Sequence, residues 1–167
     1  IAPDELARKY REEIHANEIV LLAYYIAAIN IETVYHELIQ GDLTEDAPYE
    51  PFRGILLTDT FQMYEQERDM VANLLPDNSE RRTRQKALDI RVIIGNPPYS
   101  VGQKNANDDA RNIPYRALRK KLQDTYIGKS QSNARSVYDT YILALRWATD
   151  RLNATDAGVV GFISGSG

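Results

Sequence analysis

Asn96-Pro97-Pro98-Tyr99 follows an apolar run, Val92-Ile93-Ile94, and a single glycine, Gly95. These residue types have a definite chemical capacity. The Asn96 side-chain oxygen accepts hydrogen bonds, and so does the Pro97 carbonyl. Two rigid acceptors can hold both hydrogens of a planar exocyclic amino group, while Tyr99 offers a flat face on which a ring can stack. An amine held this way, kept from conjugating fully with its ring, is a better nucleophile. Neither proline can donate to a ladder, so they end the strand. They also keep Asn96 and Pro97 extended, because residues before proline avoid the helical region. The plainer alternative is a proline-rich turn capped by a packed tyrosine.

Two carboxylates stand at comparable places. Glu18 stands at the end of a brief strand predicted over Glu13 to Ile19, and Asp59 at the end of an apolar strand predicted over Gly54 to Phe61. In nucleotide-binding α/β folds a carboxylate at a strand end accepts hydrogen bonds from ribose hydroxyls. Each has an ordinary structural alternative: Glu18 as a helix-start carboxylate favoured by the dipole, Asp59 as a turn-former. His15 and His36 lack metal-ligand spacing with any partner and read as structural, so no metal site is expected.

The elements that must position these residues follow from pattern. Pro3 to Tyr10 predicts a short helix with proline and acids in its first turn. After the first strand, Val20 to Gln40 predicts a long helix stopped by Gly41, its first half apolar nearly all round and therefore expected to be buried against a sheet. Asp42 to Phe52 is an acidic loop, and Gln66 to Leu75 is read as one or two helical turns. Ser79 is a plausible N-cap for a helix running to Leu88. Val92 to Ile94 is apolar on both parities, as in a buried parallel strand. A helix is expected near Tyr115 to Tyr126. A second spans Ser136 to Leu152, with Val137, Tyr141, Leu145, Ala148 and Leu152 on one face. Val159 to Ser164 is a last buried strand. Alternating strands and helices predict an α/β fold, a mostly parallel sheet with flanking helices.

At this point the sequence resembles a family. Asn96-Pro97-Pro98-Tyr99 is similar to the catalytic motif of amino-group methyltransferases that use S-adenosyl-L-methionine, chiefly the DNA adenine-N6 enzymes. The longer stretch Ile94 to Gln103 resembles the methyltransferase module of single-polypeptide, ATP-dependent restriction–modification enzymes, in which nuclease, helicase-like motor, methyltransferase and target-recognition domains lie in series. The resemblance implies a partial Rossmann-like methyltransferase fold, residues 1–167 being one partial catalytic domain of a longer chain. It implies methyl transfer to N6 of an adenine flipped out of double-stranded DNA. Asn96 and Pro97 would hold the amine, Pro98 would stiffen the loop and Tyr99 would stack on the purine. For the cofactor it implies Glu18 on the ribose, Ile19 beside the adenine and Asp59 accepting from the adenine amino group, with Thr60 and Phe61 flanking that purine. The other domains of the same polypeptide are then the expected partners, and the cytoplasm of a prokaryotic cell the expected compartment.

The sequence also departs from the family. A Gly-rich cofactor loop belongs before Glu18, yet Ile1 to Glu13 contains no glycine. With Ile1 in mid-pattern and Gly165-Ser166-Gly167 just past a strand, this points to a fragment, expected to be inactive alone.

Composition narrows the rest. The 167 residues are 43% hydrophobic, enough for a core, and the absence of cysteine rules out disulfides and thiolate metal sites. The longest apolar run, Ile19 to Ile29, is too short to span a bilayer, and no signal peptide is visible, so no membrane partner is expected. Charge is unevenly placed: Ser100 to Arg135 holds eight basic residues against three acids, a net +5, which leaves −9 elsewhere in a chain of net −4. Such a segment directly after the Asn96 loop can meet phosphates, or simply form a solvated helix face. Two rival functions stay open. One is methylation of another planar amine, an RNA adenine or a protein glutamine. The other is a non-catalytic DNA-binding or scaffold module.

Overall fold

The computed structural model describes residues 1–40, 48–65, 75–97, 115–128, 140–152 and 157–163. The chain divides into two units, Ile1–Ala87 and Leu88–Gly167.

The first unit opens with α1 (Pro3–Arg8), whose first turn carries Pro3, Asp4 and Glu5 as expected. The helix then widens into a π-turn, Lys9–Glu13, closed where the Ile14 N–H bonds back to the Lys9 carbonyl at 2.9 Å. That closure takes residues 13 and 14 out of the strand predicted for them, so β1 is only Ala16–Glu18. Helix α2 (Leu21–Gln40) lies within one residue of its predicted start. Strand β2 (Ile55–Leu57) pairs parallel to β1, with Ala16 against Ile55 and Glu18 against Leu57.

The core of this unit is aromatic. Tyr10, Tyr35, Ile39, Phe52 and Ile55 are buried, with Leu6, Ala7, Ala16, Tyr24, Ala27, Ala28 and Ile31 packed around them. Positions 24, 27, 28, 31 and 35 follow helical spacing and make one stripe of α2. The Tyr10 and Tyr35 rings stack with centroids 3.6 Å apart and planes within 5°. The expectation that the first half of α2 is buried is overturned: Leu21, Leu22, Tyr25, Ile26 and Ile29 are each more than half exposed, as are Val34 and Leu38 further along. A sheet of two three-residue strands is narrow and covers one side of a helix only.

Helix α3 (Pro76–Ala87) starts three residues before the predicted cap. Pro76 serves as the first helical residue and Asp77 supplies the acid of the first turn, so Ser79 lies inside the helix. The turns proposed for Gln66 to Leu75 fall almost wholly outside the described residues, as do Gly41 and the acidic residues that follow it.

In the second unit β3 (Val92–Gly95) and β4 (Val159–Phe162) pair parallel, Val92 against Val159 and Gly95 against Phe162. Helix α4 (Arg116–Leu122), prolonged by a π-turn Gln123–Ile127, packs against α5 (Thr140–Arg151). Both lie where helices were predicted; Val137 is outside the described residues. The buried face of α5 is Leu143, Ala144 and Ala148, while Leu145 turns outward, a correction of one position in the predicted stripe. The strands depart from expectation as well. Ile93 is buried, but Val92, Ile94, Val159 and Ile163 are exposed, so this pair is covered on one face rather than two.

Candidate functional site

Glu18 is the last residue of β1. Its Oε1 accepts the N–H groups of Ile19 at 2.8 Å and Val20 at 2.9 Å, the two residues that lead into α2. The carboxylate thus serves the helix start, as its structural alternative required. Among the described residues its other oxygen, Oε2, accepts no hydrogen bond. Ile19 beside it is more than half exposed.

Asp59 follows β2 by two residues. Its Oδ1 accepts the N–H of Phe61 at 2.9 Å and of Gln62 at 3.3 Å, and its carbonyl accepts that of Met63 at 3.1 Å. These bonds build the 3-10 turn Gln62–Tyr64, so Asp59 is indeed a turn-former. Thr60 and Phe61 are half-buried on the same turn.

What the structure adds is their common address. The Thr58 N–H donates to the Glu18 carbonyl at 2.8 Å, which ties the two strand ends together. Glu18 and Asp59 therefore sit at the carboxyl ends of adjacent parallel strands, where open α/β folds bind ligands. What these strand ends present is acceptor oxygens beside exposed apolar surface at Ile19, a set that suits the hydroxyl and amino hydrogens of a nucleoside.

That strand pair has a support the sequence did not reveal. Leu57 gives its N–H to Asn78 Oδ1 and accepts Asn78 Nδ2 at its carbonyl, both at 3.0 Å. One turn along α3, the Arg81 guanidinium donates to the Ile55 carbonyl at 2.6 Å and the Arg53 carbonyl at 3.2 Å, and pairs with Asp77 at 3.2 Å. Two side chains of α3 thus occupy the edge of β2 that β1 leaves open. The helix itself was expected from Ser79 onward, but nothing in the spacing marks Asn78 as other than a surface amide.

Asn96 stands just past β3 in the second unit and is exposed, with its amide at the carboxyl end of a parallel strand. The strand pair is still bonded there, since the Ile163 N–H donates to the Gly95 carbonyl at 3.0 Å. A side chain at position 95 would have its Cβ 3.3 Å from the Phe162 ring, so glycine lets that ring close over the residue before Asn96. Pro97 is buried while Asn96 before it is exposed, so at this strand end the apolar residue is the one taken in. Pro98 and Tyr99 lie outside the described residues.

The basic segment is only partly described. Lys104, Arg111, Lys129 and Arg135 fall outside. Lys120 pairs with Asp124 at 2.7 Å and Lys121 with Asp150 at 2.9 Å, so part of the α4 charge already has local partners. Arg116 is exposed. His15 lies 3.2 Å from the Glu12 carbonyl, and His36 stacks on Tyr49 with centroids 5.0 Å apart. Among the described residues no three His, Asp or Glu side chains are grouped to hold a metal ion, and no helix is long and apolar enough to cross a membrane.

No protein-family model and no curated protein matches the chain. Solved structures do. A nuclease-deletion mutant of the Type ISP restriction–modification enzyme LlaGI, in complex with a DNA substrate mimic, is 48% identical over 97% of this chain, with a TM-score of 0.85. The ATP-dependent Type ISP restriction–modification enzyme LlaBIII bound to DNA is 45% identical over 97%, with a TM-score of 0.83. The chain is homologous to a segment of Type ISP restriction–modification enzymes. A complex of DrdV with DNA is 40% identical over 99% of the chain, with a TM-score of 0.81. The chain spans 13%, 11% and 15% of the lengths of these three proteins.

Proposed function

We propose that this chain is part of an S-adenosyl-L-methionine-dependent methyltransferase that modifies the N6 amino group of adenine in DNA, within a restriction–modification enzyme. The observation that carries the reading is Asn96: an exposed asparagine at the carboxyl end of a parallel strand, followed by a buried proline. DNA is favoured over an RNA or a protein amide because the similar structures are DNA complexes.

Each residue then has a role. Glu18, through Oε2, accepts the ribose hydroxyls, and Asp59 accepts the adenine amino group of the methyl donor, with Ile19 and Thr60 against its purine. The donor supplies a methyl group on a positively charged sulfur. The target adenine leaves the duplex to reach the loop. There the Asn96 oxygen and the Pro97 carbonyl hold its amine, Pro98 keeps the loop stiff and Tyr99 stacks on the ring. The residues act by position and by polarising the amine. The motor, nuclease and target-recognition domains would be supplied by the same polypeptide.

The test is methyl transfer from labelled cofactor to adenine in DNA by the intact protein. Asn96→Ala should lower the rate by about a hundredfold or more, with the cofactor dissociation constant within about twofold. Equal methylation by variant and parent removes the assignment. Glu18→Ala should instead weaken cofactor binding about tenfold, the loss of one charge-assisted hydrogen bond. An unchanged dissociation constant refutes the ribose role.

A further inference from the structure

Strand β2 is three residues long, and the residue that matters for the cofactor reading comes two positions after it. A ladder that short leaves the height and tilt of its last residue weakly fixed. On one side Leu57 is the register partner of Glu18. On its other side stands Asn78, 4% exposed, whose amide engages both backbone groups of Leu57 at 3.0 Å.

We infer that Asn78 is a positioning residue for the adenine end of the cofactor site, acting through Leu57 to fix where Asp59 stands relative to Glu18; the inference rests on the cofactor reading of those two carboxylates. A primary amide supplies one donor and one acceptor in a plane, and only Asn and Gln have it. Gln is one methylene too long for a site this closely packed. Asn78 therefore does for β2 what a neighbouring strand would do, from a helix, at the one residue that faces Glu18 and leads into Asp59. Arg81 grips the start of the same strand at the Ile55 and Arg53 carbonyls, so the two side chains hold β2 at both ends. A role confined to folding would weaken all ligands alike. A role in placing Asp59 weakens only ligands that offer it an amino group.

That difference is measurable by calorimetry on the intact protein. The probes are S-adenosyl-L-methionine and its 6-deaminated analogue, which carries hypoxanthine in place of adenine. The parent protein should prefer the adenine form about tenfold or more. Asn78→Leu, which removes both hydrogen bonds, should lose about tenfold in affinity for the adenine form and stay within about twofold for the hypoxanthine form, so that the preference collapses. Asn78→Asp keeps the size and the acceptor for the Leu57 N–H while losing the donor. It should show the same collapse even if Asn78→Leu does not fold. Equal losses for both ligands, or a preference preserved in a folded variant, overturn the positioning role alone. A parent protein without preference, or without binding, overturns the Asp59 assignment and the Asn78 inference with it.

Discussion

The two strand pairs are built on the same parallel plan and finished differently. In the pair β1–β2 both Ile55 and Leu56 are 1% exposed, so both faces are covered, and α3 closes the outer edge with Asn78 and Arg81. In the pair β3–β4, Ile93 is buried but Ile94 beside it is 83% exposed and Val159 62%. The first pair is fixed by what surrounds it within its own unit. The second is fixed by its ladder and by one packed face. The strand ends of the first carry Glu18 and Asp59 and those of the second carry Asn96. Glu18 and Asp59 therefore stand at the ends of a pair whose second strand is covered on both faces, while Asn96 stands on a more open support.

The sharpest break of this contrast is a matched pair of truncations. Leu56→Ala should cost about 2–5 kcal/mol, since it opens a cavity in packed surroundings. Ile94→Ala should stay within about 0.5 kcal/mol, because its side chain is already in water. Hydrogen exchange of the strand amides reads each unit separately. Comparable losses at the two positions mean that the second pair is covered on both faces after all.

Glycines give the next test, with smaller effects. A Cβ at Gly54 would lie 2.2 Å from the Ile14 carbonyl oxygen and 2.6 Å from the Phe52 ring, both held by the core. Gly54→Ala should then cost about 1–3 kcal/mol by overpacking. At Gly161 nothing lies within 4 Å of the added atom. Gly161→Ala should be neutral or stabilising by about 0.5 kcal/mol, since alanine loses less backbone freedom on folding. A destabilised Gly161→Ala would point to close packing around Gly161.

The same contrast explains what the sequence could and could not disclose. Local rules were enough for α1, for most of α2 and for the parallel strands, because proline position, helical spacing and β-branched runs act within a few residues. They were also enough to place Glu18, Asp59 and Asn96 at strand ends. They failed wherever neighbours decide. The apolar circumference of α2 reads as burial, but burial depends on how wide a sheet lies beneath it. Val92-Ile93-Ile94 reads as covered on both faces for the same reason. Asn78 was invisible because its partner, Leu57, is 21 residues away and the bond is to backbone. Ser79 looked like a cap because Pro76 at a helix start and serine at a cap are both good local solutions, and packing of α3 on β2 chose the former.

Charge supplies the finest comparison, and it runs the other way. In the first unit Arg11 makes two 2.7 Å hydrogen bonds to Glu50 and so holds that carboxyl below its ordinary value, against the opposing effect of burial. In the second, burial pushes Asp150 up, but hydrogen bonds from Arg146 and Lys121 more than offset it, and the group is held low. Both carboxyls thus contribute stability that is fully present above their unfolded values and is lost as the pH falls through the lower folded ones. The Asp150 cluster is the better shielded, with Arg146 18% exposed against 56% for Arg11. Asp150→Asn should therefore cost about 1–2 kcal/mol at neutral pH, and Glu50→Gln about 0.5 kcal/mol. Each substitution should also flatten the acid limb of its own unit. On acidification below the carboxylate range, exchange should then accelerate in β3 and β4 before β1 and β2, because the unit with less apolar cover depends more on its ion pairs. If β1 and β2 open first, the second unit's support lies elsewhere than in Asp150.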